Sequence, residues 1–257
     1  MNFFAFKSAA ERYQRGRPFF HPFVINRFKE LFGFSERAAH ALDVGCGTGL
    51  STIALAEIAR RMVGVDASPM MLVRAVADAR ISYAVAVAEQ LPFSENEFDL
   101  MTLSQVCHWL DRARFFAEAH RVLSPGAWLI VYDAYFSVEA AENSEFQAWH
   151  RTLYLPRYPS PARSWFTLTA DEAAAVGFQL RRAERLSQII NFTLEGLVDY
   201  LLSQSNIIAA VEDGTEEIDE VRGWLTASLG PLFRGQREVG FTFINPVWYL
   251  RSNKESE

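Results

Sequence analysis

One segment of the sequence, residues 41–50, restricts the fold of this chain more than any other. It reads Ala-Leu-Asp-Val-Gly-Cys-Gly-Thr-Gly-Leu, so an apolar stretch passes through Asp43 into glycines at three alternate positions, Gly45, Gly47 and Gly49. Glycine adopts positive φ readily and has no Cβ, which allows a sharp turn and a close approach of a ligand to the backbone. A helical pattern follows at once. The segment therefore predicts a strand, a tight loop and a helix.

A second acidic residue follows the next apolar stretch. Asp66 lies 17 residues after Gly49 and ends Val63-Gly64-Val65. A carboxylate at this distance from a glycine loop can accept hydrogen bonds from both hydroxyls of a ribose. Because the carboxyl ends of parallel strands meet at one edge of a sheet, the loop and Asp66 together predict a nucleoside site.

Two kinds of cofactor suit such a loop. A dinucleotide site requires Gly-x-Gly-x-x-Gly/Ala, and its last small residue falls at Leu50 in this chain. Asp43 would also repel a pyrophosphate, whereas a carboxylate suits a cationic or hydroxyl-bearing ligand. S-adenosylmethionine carries an ammonium, a sulfonium and a ribose but no phosphate, and it fits the pattern better.

This combination resembles the class I S-adenosylmethionine-dependent methyltransferases, whose first motif is an acid followed by x-Gly-x-Gly-x-Gly. The resemblance implies that the chain binds S-adenosylmethionine and releases S-adenosylhomocysteine. In this family the loop packs under the methionine and ribose parts, and the acid after the second strand binds the ribose. The cofactor contacts implied in these two segments are Asp43, Gly45, Cys46, Gly47, Gly49, Asp66 and Ala67.

Residues 86–93 resemble the family's segment after the third strand, where an acid and a following backbone N–H contact adenine. In many relatives that acid precedes the alanine, but Val87 occupies the position here. The resemblance therefore implies adenine contacts from the Ala88 backbone and from Glu89. A solvated glutamate before a turn is the alternative for Glu89.

Residues 104–111, Ser-Gln-Val-Cys-His-Trp-Leu-Asp, follow the expected fourth strand. His-Trp followed by an acid is common in one branch of the family, the trans-aconitate-type small-molecule methyltransferases. The resemblance implies that Ser104 contacts the cofactor and that His108 is the catalytic base for a hydroxyl or phenol acceptor. A carboxylate acceptor, which the sequence slightly favours, needs no base, and a buried structural histidine is the alternative for His108.

Near the N-terminus, Tyr13-Gln-Arg-Gly-Arg17-Pro resembles the Tyr-x-x-x-Arg-Pro element that precedes the first strand in this branch. There the element lies across the cofactor as a lid. The resemblance implies that Tyr13 approaches the sulfonium or methionine end and that Arg17 binds a carboxylate. A surface arginine beside an aromatic helix stripe is the alternative.

Apolar strand patterns alternate with helical patterns up to Asp133, which predicts βαβ units and a parallel sheet. The resemblance implies an α/β fold with a doubly wound, mostly parallel sheet of seven strands in the order 3-2-1-4-5-7-6, the last strand antiparallel. The expected strands are 40–45, 62–66, 81–86, 98–104, 127–133, 178–191 and 238–250. The expected helices run from 50 to about 60, over 69–80, from about 112 to Ser124, and over 169–177, 194–210 and 216–229.

The expected organisation surrounds one cofactor-binding core with additions. The predicted segments are an N-terminal lid at 1–35, the Rossmann-like core at 36–133, cap insertions at 134–168 and 194–235, and remaining core elements at 169–193 and 236–250. Aromatic and proline residues are frequent in the first cap segment.

Charge and composition restrict the classes of binding partner that we expect. The net charge is −6 without a long basic run, so we expect a small-molecule substrate and no nucleic acid. The longest uncharged apolar run, 122–132, is too short for a membrane span, and the N-terminal residues lack signal-peptide features. Two cysteines fit a reducing cytoplasm. We expect no metal, and a monomer or a homodimer.

Two alternatives remain at this point. A nucleoside-binding protein of the same fold could act as an inactive partner or regulatory subunit. A nicotinamide-dependent oxidoreductase would share the strand, loop and acid but conflicts with Leu50 and Asp43. The acceptor atom, in a carboxylate, hydroxyl or amine, is left open.

Overall fold

The computed structural model describes residues 6–34, 36–140, 144–160 and 166–255. The chain forms two compact units, each assembled from separate stretches of sequence. The larger unit takes 19–134, 164–186 and 245–257, and the smaller unit takes the residues up to 18, 135–163 and 187–244. The predicted cap residues 141–143 and 161–165 lie outside the described parts.

The described chain contains eight strands. They are β1 Ala38–Val44, β2 Ala59–Asp66, β3 Ile81–Val85, β4 Phe98–Ser104, β5 Leu123–Tyr132, β6 Tyr135–Ala140, β7 Phe178–Phe192 and β8 Val239–Ser252. Helices separate the first five strands along the chain, as the sequence predicted, except between β3 and β4, where the predicted turn at 91–97 lies.

The helices range in length from three residues in α7 to twelve in α2 and α11. They are α1 Lys7–Gly16, α2 His21–Phe32, α3 Leu50–Ala54, α4 Pro69–Leu72, α5 Arg112–Val122, α6 Glu145–Trp149, α7 Leu155–Arg157, α8 Ala170–Ala175, α9 Leu194–Leu202, α10 Ser205–Glu212 and α11 Ile218–Leu229. Short 3-10 turns lie at 55–57, 107–109 and 230–233, and a π-helical turn joins α6 to α7.

The strands are hydrogen-bonded in the order β3-β2-β1-β4-β5-β8, and β7 also pairs with β8. The first five are parallel, whereas β8 runs antiparallel to β5 with Tyr132 opposite Val247. Because β7 and β8 are the sixth and seventh predicted strands, the expected order is confirmed. One strand, β6, was not predicted. It pairs with the first half of β8, with Tyr135 opposite Ile244, and it continues the register in which β5 pairs with β8.

The core of the larger unit lies around β1, β4 and β5. Their side chains are buried on both faces, which is typical of central parallel strands. The helix α5 covers this core with a buried apolar face, and Asp111 caps its first turn by accepting from Arg114 N at 3.2 Å. The apolar residues of α5 in this core are Phe115, Phe116, Ala119 and Val122.

Two predicted helices are shorter than expected, because backbone groups in their second halves bond to other segments of the chain and not within the helix. The helix expected to reach residue 60 ends its last turn at Glu57, and β2 begins at Ala59, where it pairs with Ala38. The helix expected over 69–80 stops at Leu72. Beyond it, Val76 N donates to Thr48 O at 3.1 Å, which ties this segment to the glycine loop.

The fifth strand begins earlier than predicted. Pro125-Gly126 was expected to separate α5 from a strand at 127, but β5 begins at Leu123. Phe98 lies opposite Leu123 and Leu100 opposite Trp128, so the extra residues of β5 form a bulge that contains the proline and glycine.

The smaller unit differs from the predicted cap in two places. The region 134–168 contains the strand β6 besides its helices. The helix expected over 194–210 is divided into α9 and α10, because Ser203 Oγ donates to Tyr200 O at 2.6 Å and ends α9. The short helix expected after Thr169 is confirmed as α8, with a capping box between Thr169 and Glu172.

The described residues contain neither a candidate membrane span nor a candidate metal cluster. None of their helices combines the length and the apolar character that a membrane span requires. Within the same ranges, no three or more His, Cys, Asp or Glu side chains are grouped so that they could hold a metal ion.

Candidate active site at the carboxyl edge of the sheet

The loop after β1 requires its glycines for two different reasons. Gly45, Gly47 and Gly49 have φ of 67°, 55° and 78°, a region that other residues rarely adopt. A Cβ at Gly45 would lie 2.4 Å from Cγ2 of Val106, and one at Gly49 would lie 2.3 Å from the Tyr83 hydroxyl. The loop is therefore fixed in a tight turn by packing as well as by backbone conformation.

Asp66 joins this loop to the start of α4. Its Oδ2 accepts from Gly47 N at 2.9 Å, and its Oδ1 accepts from Ser68 N at 2.8 Å. Burial raises the pKa of Asp66, and the two amide hydrogen bonds oppose that rise. Each carboxylate oxygen can accept a further hydrogen bond. A fixed carboxylate with spare acceptor capacity is what binding of a ribose diol requires.

Asp43 has a different environment from the one the sequence suggested. Its carboxylate is fully buried and accepts from Ser51 Oγ at 2.6 Å, Thr52 Oγ1 at 2.6 Å and Thr102 Oγ1 at 2.8 Å. Burial raises the pKa of Asp43 to about 6, against the effect of these hydroxyls. Asp43 thus ties α3 and β4 to β1. This arrangement does not support a direct contact between Asp43 and a ligand, and that contact stays a prediction.

Replacing Asp43 by asparagine is expected to remove a pH-dependent part of the free energy of unfolding. Because the folded-state pKa of Asp43, about 6, exceeds its ordinary value of 3.8, its contribution is fully present below that ordinary value. It is lost as the pH rises through about 6. As the pH rises between these values, the free energy of unfolding of the wild type should fall by up to about 3 kcal/mol relative to that of Asp43→Asn. Urea unfolding measures this difference.

Asp78→Asn is the matched control for this measurement. The Arg80 guanidinium holds the pKa of Asp78 at about 2, below its ordinary value of 3.8. Its removal should therefore change the slope only at the acid end of the range and in the opposite direction to that of Asp43→Asn. Parallel stability curves for the wild type and Asp43→Asn would contradict the assignment.

Two buried hydroxyl groups at the site lack a hydrogen-bond partner among the described residues. Thr48 lies in the glycine loop and is 1% exposed, and Ser104 ends β4 and is 6% exposed. An unsatisfied buried polar group costs about 1–3 kcal/mol, so a polar ligand that reached either hydroxyl would gain that energy. The sequence singled out Ser104 but missed Thr48, whose position inside the loop was the available signal.

The remaining predicted cofactor contacts in this unit have mixed environments. The Cys46 thiol is buried, which raises its pKa, whereas Ala67 is exposed immediately after β2. The Ala88 side chain packs in the core. Glu89 is half-buried, and its Oε1 accepts from Asp111 N at 2.9 Å, so this carboxylate fixes the loop against the start of α5. Their contacts with a cofactor stay predictions.

His108 faces a carboxylate that the sequence did not assign. The His108 Nδ1 lies 3.8 Å from Oδ2 of Asp133, the residue after β5, and both side chains are largely buried. Oδ1 of Asp133 accepts from Ala134 N at 3.1 Å. A carboxylate beside an imidazole orients the ring and stabilises the cation that forms when the ring takes a proton. The signal for Asp133 was available, since it is an acid at the end of a predicted strand.

A strained residue lies beside this pair. Gln105 has φ of 58°, which is unusual for a residue with a Cβ. Its backbone N donates to Tyr132 O at 3.0 Å, and its Nε2 donates to Ala134 O at 3.1 Å. Gln105 therefore fixes the chain on both sides of Asp133, which keeps the Asp133 carboxylate in place.

A second histidine lies near the end of β5. His21 Nδ1 is 2.9 Å from the Tyr132 hydroxyl, and both side chains are buried. Burial lowers the pKa of His21 to about 3. Because His21 stays neutral at physiological pH, a rate that changes between pH 5 and 8 cannot be attributed to it.

The two remaining predicted residues belong to the smaller unit. Tyr13 is in α1, and Arg17 follows the end of that helix. The Arg17 guanidinium lies 4.7 Å from the centre of the Tyr13 ring. Their function as cofactor contacts stays a prediction.

Comparison with known proteins identifies the class to which this fold and site belong. The methyltransferase domain family matches residues 42–131, the part of the chain that contains the loop, Asp66 and His108. An uncharacterized methyltransferase of Mycobacterium bovis is 31% identical over 225 residues, which cover 85% of this chain and 84% of that protein. The chain belongs to the class I S-adenosylmethionine-dependent methyltransferases.

Two other similarities agree with this family. The demethylmenaquinone methyltransferase of Lactiplantibacillus plantarum is 41% identical over 132 residues, which cover 47% of this chain and 55% of that protein. A solved structure from Anaeromyxobacter dehalogenans, assigned as a type II methyltransferase, has a TM-score of 0.65 and 23% identity. The match covers 88% of this chain and 94% of that one, and it supports the fold. The trans-aconitate-type branch stays a prediction.

Proposed function

We propose that this methyltransferase binds S-adenosylmethionine at the carboxyl edge of its sheet and methylates a small-molecule acceptor. The observation that carries the proposal is the Asp66 carboxylate, which two backbone amides hold beside the glycine loop while its oxygens keep further acceptor capacity. The ribose of S-adenosylmethionine offers two hydroxyl donors to such a carboxylate.

The other residues at this edge also suit the cofactor. The unpartnered hydroxyls of Thr48 and Ser104 could each bind a polar group of the ligand. A pyrophosphate has no cationic partner in the loop, and Leu50 is too large for a dinucleotide fingerprint. When bound, S-adenosylmethionine supplies a methyl group that its positively charged sulfur has already activated. The chain therefore needs to orient the acceptor and, for some acceptors, to remove a proton.

His108 is the residue proposed to remove that proton. Its Nδ1 lies 3.8 Å from Oδ2 of Asp133, and the imidazole takes the proton of an acceptor hydroxyl as that oxygen gains the methyl group. Asp133 stabilises the resulting imidazolium. The sequence alone slightly favoured a carboxylate acceptor. The carboxylate beside His108 now favours a hydroxyl or phenol. Holding the reacting groups in the correct orientation can lower the activation barrier by about 7–11 kcal/mol more.

Replacing Asp66 by alanine is expected to weaken binding of S-adenosylmethionine by about 1–3 kcal/mol, or roughly 5- to 150-fold, because the ribose hydroxyls lose their acceptor. Isothermal titration of the folded variant with S-adenosylmethionine and S-adenosylhomocysteine measures the loss. Asp171→Ala is the control, since it removes the same charge from an exposed position in α8.

Three results would contradict the proposal. Unchanged affinity in Asp66→Ala would remove this residue from the site, and tighter binding of NAD than of S-adenosylmethionine would indicate an oxidoreductase. A screen of small acids, phenols and amines for formation of S-adenosylhomocysteine tests the transfer itself. Cofactor binding without turnover on any of them would favour a regulatory subunit.

A further inference from the structure

The turn that follows β4 begins with an unfavourable backbone conformation. Gln105, the first residue after β4, has φ of 58°, in the left-handed region that disfavours residues with a Cβ. Its side chain gains a hydrogen bond there, from Nε2 to Ala134 O at 3.1 Å. A neutral hydrogen bond stabilises the fold by no more than such a conformation costs, and glycine would adopt this φ without strain. Stability therefore does not explain the glutamine, and strained residues of this kind concentrate at functional sites.

The turn after β4 contacts both parts of the candidate active site. Val106 fills the space beside Gly45, since a Cβ on that glycine would lie 2.4 Å from Cγ2 of Val106. Trp109 N donates to Val106 O at 2.8 Å and closes the turn. Between these two residues, His108 Nδ1 lies 3.8 Å from Oδ2 of Asp133. One short turn therefore joins the glycine loop to the histidine–aspartate pair, and the left-handed residue at its start sets its direction.

A chain of contacts leads from Gln105 back to His108. The Gln105 amide donates to the Ala134 carbonyl, and the Ala134 N–H donates to Oδ1 of Asp133 at 3.1 Å. The other oxygen of that carboxylate, Oδ2, is the one beside the imidazole. The backbone on the other side of Asp133 is held as well, because the Gln105 N–H donates to Tyr132 O at 3.0 Å. Loss of the Gln105 amide would therefore release Ala134 and, with it, the Asp133 carboxylate.

Other titratable groups lie close to this turn. Burial raises the pKa of the Cys107 thiol to about 12, and the positive charge of Arg112 opposes that rise. Burial lowers the pKa of His21, beside the end of β5, to about 3. Burial also raises the pKa of Asp43 to about 6, which is in the range of an ordinary histidine. A titration followed on the His108 ring itself avoids any contribution from Asp43.

We propose that Gln105 is a positioning residue of the candidate active site. Through Ala134, its side-chain amide holds the Asp133 carboxylate beside the His108 imidazole, while its left-handed backbone holds Val106 against the glycine loop. This role rests on the proposed function, in which His108 takes the proton of the acceptor. An effective base has to be fixed by contacts beyond those that it makes itself. The strain at Gln105 is then retained because it fixes the base relative to the glycine loop.

The first test follows the His108 imidazole by NMR in the full chain with isotope-labelled histidine, with neither cofactor nor acceptor present. His108→Gln assigns the signal among the five histidines. Because a nearby carboxylate favours the protonated ring, Asp133→Asn should lower the midpoint of the His108 titration by about 1–3 pH units. Gln105→Met, which keeps the length of the side chain but removes the donor, should lower it by part of that amount.

Asn96→Gly is the matched control for Gln105→Gly. Asn96 also has φ of 58°, and its Oδ1 accepts from Lys254 Nζ at 2.7 Å, but it lies before β4, at the opposite end of that strand. Both replacements remove a strained conformation and one side-chain hydrogen bond, so the melting temperatures should stay near that of the wild type. The His108 titration should be unchanged in Asn96→Gly and lowered in Gln105→Gly.

Rates on an acceptor found in the screen provide a second readout. Gln105→Met and Gln105→Gly should lower kcat by about 10- to 100-fold, because a base that is out of place reacts slowly. The Kd for S-adenosylmethionine should stay within about twofold of the wild-type value, since neither variant alters the glycine loop or Asp66.

The proposal is overturned by an unchanged His108 titration in Gln105→Met and Gln105→Gly, or by an equal shift in Asn96→Gly. A joint loss of cofactor affinity and melting temperature in both Gln105 variants would also overturn it, because that pattern indicates a general defect of the fold. Failure of the proposed function is distinguishable. In that case Asp66→Ala would bind S-adenosylmethionine as the wild type does, whereas the His108 titration requires neither cofactor nor turnover.

Discussion

Replacing His108 by glutamine is expected to lower kcat by about 10²- to 10⁴-fold, with the dissociation constant for S-adenosylmethionine unchanged within about twofold. Glutamine keeps a polar side chain of similar reach, but it cannot take a proton. The loss therefore measures proton removal rather than packing. Initial rates on an acceptor found in the screen, with the cofactor saturating, provide the measurement.

The pH profile distinguishes a base from a residue that only positions the acceptor. The wild-type rate should rise with pH as the His108 imidazole loses its proton, and His108→Gln should lack that dependence. Asp133→Asn should lower kcat less and keep a pH dependence, because the histidine remains. His21 does not contribute, since burial lowers the pKa of His21 to about 3. A small loss in His108→Gln with an unchanged profile would indicate a carboxylate acceptor instead.

Replacing Gly47 by valine is expected to weaken cofactor binding by at least about 100-fold. Gly47 has φ of 55°, and its N–H donates to the Asp66 carboxylate. A β-branched residue is strained at positive φ, so the backbone would rotate and take this N–H away from Asp66. The ligand would lose both the close approach to the loop and the orientation of the ribose acceptor.

Gly33→Val is the control for this variant. Gly33 has φ of 57°, nearly the same as Gly47, and no heavy atom lies within 4 Å of the position where its Cβ would be. Gly33 follows the end of α2, outside the glycine loop. Gly33→Val therefore shows how much backbone strain alone changes the affinity for the cofactor. Far-UV circular dichroism should stay near wild type in both variants, and titration should separate them. Equal affinity in the two would contradict the assignment of the loop.

The features that the sequence predicted well are those with a local cause. Glycines at positive φ follow from their own residue type, and β4 was expected where Phe98–Ser104 forms it, because an apolar run between polar turns marks a buried strand. The strand order was implied by the family resemblance. Asp66 ends β2 beside the loop as expected, because its distance from the loop along the chain is set by one helix and one strand.

The features that the sequence could not predict depend on contacts between distant segments. Asp43 is satisfied by a hydroxyl on β4, 59 residues away, and no local pattern encodes that bond. The pairing of His108 with Asp133 depends on β4 and β5 ending at the same edge. The helix after Ser68 is short because Val76 is bonded to the loop, a tertiary contact that outweighs its helical pattern.

The order of the two units along the chain limits how this protein can be altered. The backbone passes between them after residues 18, 134, 163, 186 and 244. Two of those passages fall inside single strands, β7 and β8. The smaller unit therefore cannot be transferred into a relative as one contiguous segment, because it is assembled from three separate stretches and two of its boundaries lie inside strands.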